Sequence, residues 1–225
     1  LIHGYWLAKH GIEGSYAAIH VKQDGLRAFL AAMAAEGFAG GNVTVPHKEA
    51  AFALAARRDE TAEEIGAANT LWLEDGELNA SNTDSFGFAQ NLDEHAAEWD
   101  KARAALIIGA GGASRAVIHA LKARGISDIR VANRSVERAQ ELRLVFGSDV
   151  TAHKLEALGE LGEDAGLIVN TTSLGMKGEG SIPLDMARVP ADALVTDIVY
   201  VPLETPFLKA ARLAGLRTAD GLGML

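Results

Sequence analysis

ALIIGAGGASRAVIHALKAR, residues 105–124, opens on an apolar run, breaks into glycines and continues as a helix-forming sequence. ALIIG reads as a strand and ASRAVIHALKAR as the helix that follows it. Gly109 permits the tight turn between them, and Gly111 lets the backbone come close to a pyrophosphate. Ser114 stands where a third glycine is usual, and a small residue still fits there. Phosphate would rest on the free N–H groups and the positive dipole end at the helix start. A glycine pattern alone is common in loops, but here the strand before it, the helix after it and a further strand, DIRVA, supply the context of a dinucleotide site.

Moving outward, DIRVA ends in VANRS and leads to the helix SVERAQELRLV. NAD-binding chains usually carry an acid at that strand end for the ribose hydroxyl. This chain has Asn133, Arg134 and Ser135 there, with Arg138 one turn on. A guanidinium pairs well with a 2′-phosphate, so the cofactor expected is NADP(H). The plainer reading is a Ser135 helix cap beside solvated arginines. LIVN and ALVTDIVY read as two more buried strands, and TPFLKAARLAG as a closing helix with Pro206 in its first turn.

Before residue 85 a separate alternating series runs. Leu26, Phe29, Leu30 and Met33 form one helical stripe stopped by Gly37. SYAAIHV and GNVTV on either side read as strands, HKEAAFALAARR as a helix, and AANTLWLEDGEL as a strand with a hairpin-like turn at EDGE. The fold class expected is α/β with two domains: a substrate domain over residues 1–84 with a mostly parallel sheet, and a Rossmann-like domain over 85–220, with a cleft between. Residues 221–225 would rejoin the first domain. LIHGYWLAKHG reads as a helix already under way and GLGML as the start of an element, so both ends read as cut within elements.

With 225 residues, 48% of them hydrophobic, the chain can bury a core. Its net charge of −9 argues against a nucleic-acid partner. It has no cysteine, hence no disulfide framework, and no apolar stretch long enough to span a membrane. The lack of cysteine fits a reducing compartment such as the cytoplasm, without excluding an exported protein. The seven histidines show no metal spacing, so no metal is expected.

A nicotinamide enzyme acting on a C–OH/C=O pair needs a group for the hydroxyl proton. Lys48, at the first turn of HKEAAFAL, and Asp84, in SNTDSFG, are the candidates. A helix dipole disfavours a lysine's charge at that place. An adjacent aspartate favours it.

Several spaced motifs together resemble the shikimate dehydrogenase family: NVTVPHK, GAANT, NTD, GAGGASRA, NRSVER, NTTSLGM, DIVY and GLGM, in that order along the chain. The resemblance implies that Lys48 and Asp84 are an acid–base pair at the reacting hydroxyl. Thr44, Asn69 and Tyr200 would bind the substrate, with Asn42 close by. Gly109, Ala110, Gly111, Gly112 and Ala113 would cradle the pyrophosphate, and Asn133, Arg134, Ser135 and Arg138 would hold the adenosine phosphate. Ile198 and Gly221 would lie near the nicotinamide, and the 170–176 loop would flank the cofactor. The reaction implied is reduction of 3-dehydroshikimate to shikimate with NADPH, in aromatic amino-acid (chorismate) biosynthesis, and a homodimer is compatible with it. The family's upstream Ser-x-Ser pair and its later substrate-binding glutamine have no counterpart in residues 1–225. Two rivals stand beside this reading. One is a quinate/shikimate dehydrogenase using NAD, against which Arg134 counts. The other is an idle dinucleotide-binding module, against which the presence of both Lys48 and Asp84 counts.

Overall fold

The computed structural model describes residues 2–225; Leu1 lies outside the described residues. In chain order come α1 (Ile2–Lys9), α2 (Leu26–Ala32), β1 (Gly40–Asn42), α3 (Lys48–Leu54), β2 (Arg57–Arg58), α4 (Glu60–Ile65), β3 (Thr70–Glu74) and β4 (Glu77–Ser81). Then follow α5 (Asp84–His95), β5 (Ala104–Ile108), α6 (Gly112–Ala123), β6 (Asp128–Asn133), α7 (Val136–Phe146), β7 (Val150–Lys154), α8 (Leu158–Leu161), β8 (Leu167–Asn170), β9 (Leu194–Asp197), α9 (Pro206–Leu213) and β10 (Arg217–Ala219).

The second sheet runs β7-β6-β5-β8-β9-β10, with every pairing parallel. Such sheets are covered by helices on both faces, and their strands are continuous apolar runs. All five residues of β5 are buried. Ala105 and Ile107 point to one layer, where Phe88, Leu92, Val117, Ile118, Leu121 and Leu142 cover them. Leu106 and Ile108 point to the other, against Leu158, Phe207 and Leu208. Chain order reverses between β5 and β8, which is where open α/β sheets bind ligands at their strand ends.

The first sheet corrects the expectation of a mostly parallel one. Its order is β1-β3-β4-β2, and only β2–β4 is parallel. The cause is local. Asp75 and Gly76, at φ 52° and 80°, form a two-residue turn that joins β3 to β4, with Glu74 opposite Glu77. A tight two-residue connection can only give an antiparallel pair. Residues 15–21, read as a strand from SYAAIHV, have no ladder partner among the described residues, and β1 covers only the start of the GNVTV run. Val45, at the end of that run, is 64% exposed. Leu26, Leu30 and Met33 of the expected stripe do enter the core, with Ala51, Leu71 and Ala80.

α5 belongs to both halves: its first residue is Asp84, while Phe88 and Leu92 pack under the second sheet. The C-terminal turn Leu222–Met224 returns beside it, and Asn91 Nδ2 donates to Asp220 O at 2.7 Å. Among the described residues no helix is long and apolar enough to cross a membrane.

Candidate active site

Lys48 and Asp84 are 36 residues apart and meet: Lys48 Nζ lies 2.5 Å from Asp84 Oδ2. Their side chains are 13% and 16% exposed, so the pair is shielded yet reachable. Each is the first residue of its helix, α3 and α5. The dipole favours the carboxylate there and not the ammonium, and the pairing offsets this for Lys48. Asn69, at the entry to β3, fixes the aspartate: its Nδ2 donates to Asp84 Oδ1 and to Thr83 Oγ1, both at 2.9 Å. Its Oδ1 accepts from Thr83 N at 3.0 Å and from Thr70 Oγ1 at 2.9 Å. Asn82 is buried and caps the same turn, with Oδ1 accepting from Asp84 N at 2.9 Å and Nδ2 donating to Ala67 O at 2.8 Å. Asp84 is therefore held from both sides.

The other expected substrate residues are placed less tightly. Asn42 is exposed at the end of β1, 3.5 Å from Thr70 Oγ1, and accepts from Tyr16 OH at 2.9 Å. Thr44 is exposed, and its carbonyl accepts from His47 N at 2.9 Å. Tyr200 is 40% exposed after β9. Among the described residues neither Thr44 nor Tyr200 hydrogen-bonds the Lys48–Asp84 pair. A surface hollow of about 320 Å³, lined in part by Gln23, Arg27, Ala50 and Leu54, includes none of these residues.

The glycine loop sits at the end of β5. Gly109 has φ +110°, and a Cβ there would fall 2.8 Å from Thr171 Oγ1. Only glycine meets both demands without strain. Ser114 occupies the third position well: it accepts from Gly111 N at 3.1 Å and bonds Thr171 Oγ1 at 2.7 Å, joining the loop to the segment after β8. Ala110 and Ala113 are buried, whereas a Cβ on Gly111 would meet nothing within 4 Å. Gly112 faces the substrate side, since a Cβ there would lie 2.9 Å from Lys48 Cβ. The lysine is thus packed against the start of α6.

At the end of β6, Asn133 Nδ2 donates to Ser135 O at 2.8 Å, and Ser135 Oγ donates to Glu137 at 2.7 Å. Arg134 is exposed and stands outside the ion pairs that hold Arg138. Arg138 is engaged by Glu49 at 2.5 Å and Glu141 at 2.7 Å. Burial works against its charge, but the Glu49 and Glu141 carboxylates together outweigh this and hold the guanidinium above its ordinary pKa. Gly221 lies against Ile198, where a Cβ would fall 2.6 Å from Ile198 O.

A further polar core lies at the ends of β8 and β9. Buried Asp197 accepts from Asn170 Nδ2 at 2.9 Å, Val199 N at 3.0 Å and Thr205 Oγ1 at 2.7 Å. Asn170 in turn accepts from Thr172 N and Oγ1 at 3.0 and 2.7 Å. Burial raises the Asp197 pKa above its ordinary value, against these three hydrogen bonds. Sequence reasoning passed over Glu49, Asn82 and Asp197 as individual residues. The Asn-x-Asp spacing is a turn signal that could have found Asn82, whereas Glu49 carried none.

A loop with open space above Gly111 at a helix start, and an arginine at the next strand end, Arg134, that makes no ion pair among the described residues, fit a phosphorylated dinucleotide. Beside that loop is a lysine–aspartate pair suited to a hydroxyl proton. Fold and site together define a two-domain nicotinamide-dependent dehydrogenase.

Residues 1–71 match the description "Shikimate dehydrogenase substrate binding domain" and residues 91–176 match "Shikimate / quinate 5-dehydrogenase". A shikimate dehydrogenase (NADP(+)) of Mesorhizobium japonicum is 62% identical over 224 residues, covering 100% of this chain and 80% of that one. Among solved structures, a shikimate 5-dehydrogenase of Thermus thermophilus in complex with NADP(H) and shikimate is 37% identical with TM-score 0.84, over 99% of this chain and 82% of that one. A quinate dehydrogenase of Corynebacterium glutamicum in complex with NAD is 31% identical with TM-score 0.82, over 99% and 83%. The chain belongs to the shikimate dehydrogenase family.

Proposed function

We propose that Lys48 and Asp84 are the proton-handling pair of an NADP-dependent shikimate dehydrogenase. The observation that carries this is the 2.5 Å contact between Lys48 Nζ and Asp84 Oδ2, made beside the glycine loop and braced by Asn69. The activity itself follows from the family and from relatives named as NADP(+) enzymes at 57–62% identity. NADP(H), when bound, supplies or accepts the hydride.

The chain's own residues do the rest. In the reducing direction the carbonyl oxygen of 3-dehydroshikimate becomes a hydroxyl and takes its proton from Lys48. Lys48, left neutral, regains a proton from solvent, the Asp84 carboxylate stabilises the restored ammonium, and Asn69 keeps the aspartate from turning away. In the oxidising direction the same pair removes the hydroxyl proton. Asn42, Thr44, Asn69 and Tyr200 are proposed to orient the substrate. Gly109–Ala113 are proposed for the pyrophosphate, Asn133–Ser135 and Arg138 for the adenosine phosphate, and Ile198 and Gly221 for the nicotinamide end. The substrate residues within 1–84 and the cofactor residues within 85–220 make the division of the chain proposed here. A cytoplasmic homodimer with no affinity for nucleic acid completes the proposal, and sedimentation in solution tests its assembly.

Loss of a positioned proton donor costs about 10²–10⁴ in rate. Lys48→Ala should lower kcat by that order while NADPH still binds with near-normal affinity. Near-normal turnover in this variant would remove Lys48 from the mechanism.

A further inference from the structure

We propose that Glu49 is a positioning residue, which fixes Lys48 by tying its helix to the cofactor-binding half of the molecule. The proposal rests on the acid–base role given to Lys48 above. Glu49 follows Lys48 directly, in the first turn of α3. Both of its oxygens are taken by guanidinium groups from the other sheet's helices. Oε1 lies 2.5 Å from Arg138 Nη2 on α7, and Oε2 lies 3.6 Å from Arg115 Nη2 on α6.

Neither arginine is an ordinary surface charge. Arg115 is only 9% exposed, and among the described residues its Nε has no hydrogen-bond partner. Its Nη1 reaches Ile65 O at 3.4 Å, so Glu49 is the carboxylate that balances it. Arg138 is shared between Glu49 and Glu141. A second polar link reinforces the same face of α6 one turn on, where His119 bonds both Ser85 Oγ and Glu64 Oε2 at 2.7 Å. A lone first-turn glutamate would need no partner beyond the dipole. One held by two helices of the opposite layer fixes the distance between α3 and α6, the interval that Lys48 and Gly112 share.

A small displacement of a catalytic group is enough to cost about 10²-fold. Glu49→Gln keeps the shape and one acceptor oxygen but loses the charge that holds the two arginines. With the full chain, kcat for shikimate at saturating NADP should fall about 10- to 100-fold, while the NADPH dissociation constant, read from its fluorescence, stays within about twofold. Arg138→Gln should lower kcat through the same link, and the double variant should lose little more than the worse single one.

Lys48→Ala is measured alongside. If Lys48→Ala is slow and Glu49→Gln turns over normally, or loses only NADPH affinity, the positioning role is overturned and the acid–base role stands. Additive losses in the double variant overturn it as well. If Lys48→Ala turns over normally, both fall together.

Discussion

Arg134 and Arg138 lie one turn apart at the start of α7 and have different neighbours. Arg134 is exposed, whereas Arg138 is held by two carboxylates. A guanidinium without a carboxylate partner is the better ligand for a phosphate, because nothing has to be displaced. Arg134→Ala should therefore raise KM for NADP about tenfold or more and leave KM for NAD nearly unchanged. Arg138→Ala should discriminate less between the two cofactors. Steady-state KM values for both cofactors in both variants check this, and equal effects on NADP and NAD in Arg134→Ala would contradict it. At this scale Lys48 and Asp84 could be singled out from residue type and place, whereas Asn69 was reached only through the family resemblance, as a substrate residue, and its hydrogen bond to Asp84 was not foreseen. Glu49 was not legible, since a glutamate in a helix's first turn is what the dipole alone would favour. Its partners come from 66 and 89 residues downstream, and local sequence does not encode them.

Elements differed in how well they could be read. The parallel sheet was legible because a strand buried on both faces is an apolar run bounded by turn residues. The first sheet was not, because strand direction is absent from periodicity, and alternation with helices suggested parallel pairing. The EDGE turn already required one antiparallel pair. SYAAIHV has strand composition, but a strand needs a ladder, and residues 15–21 have none among the described residues.

The elements at the ends of β8 and β9 carry a pH prediction. Asp197 has its pKa raised in the folded state, mainly by burial. A raised carboxyl pKa contributes stability at acid pH, and this is lost as pH rises through the folded value. Asp197→Asn keeps the shape and never ionises. Its stability relative to the unmodified chain should therefore improve as pH rises from the ordinary aspartate range, about pH 4, through the raised folded value, as urea midpoints would show. A gap that is constant across that range would contradict the assignment. The thermodynamic effect sits apart from Lys48, so activity at a single pH is no substitute for the unfolding curves.

For the whole molecule, the site exists only where the two sheets' helices meet. Lys48 and Asp84 come from the starts of α3 and α5, the glycine loop from the end of β5, and Glu49, Arg115 and Arg138 join the layers. Domain pairs of this kind often close on their ligands, and release can limit turnover. Solved relatives include both a shikimate 5-dehydrogenase with NADP(H) and a quinate dehydrogenase with NAD, at TM-scores of 0.84 and 0.82, so overall shape does not choose between these activities. The cofactor preference is proposed to rest on Arg134 and the strand end without an acid, and the substrate preference is left to measurement. The most direct measurement is the initial rate of oxidation of shikimate and of quinate, each with NADP and with NAD. Rapid turnover confined to shikimate with NADP is the predicted result. Comparable rates with NAD or with quinate, or no turnover while NADPH still binds, would contradict it.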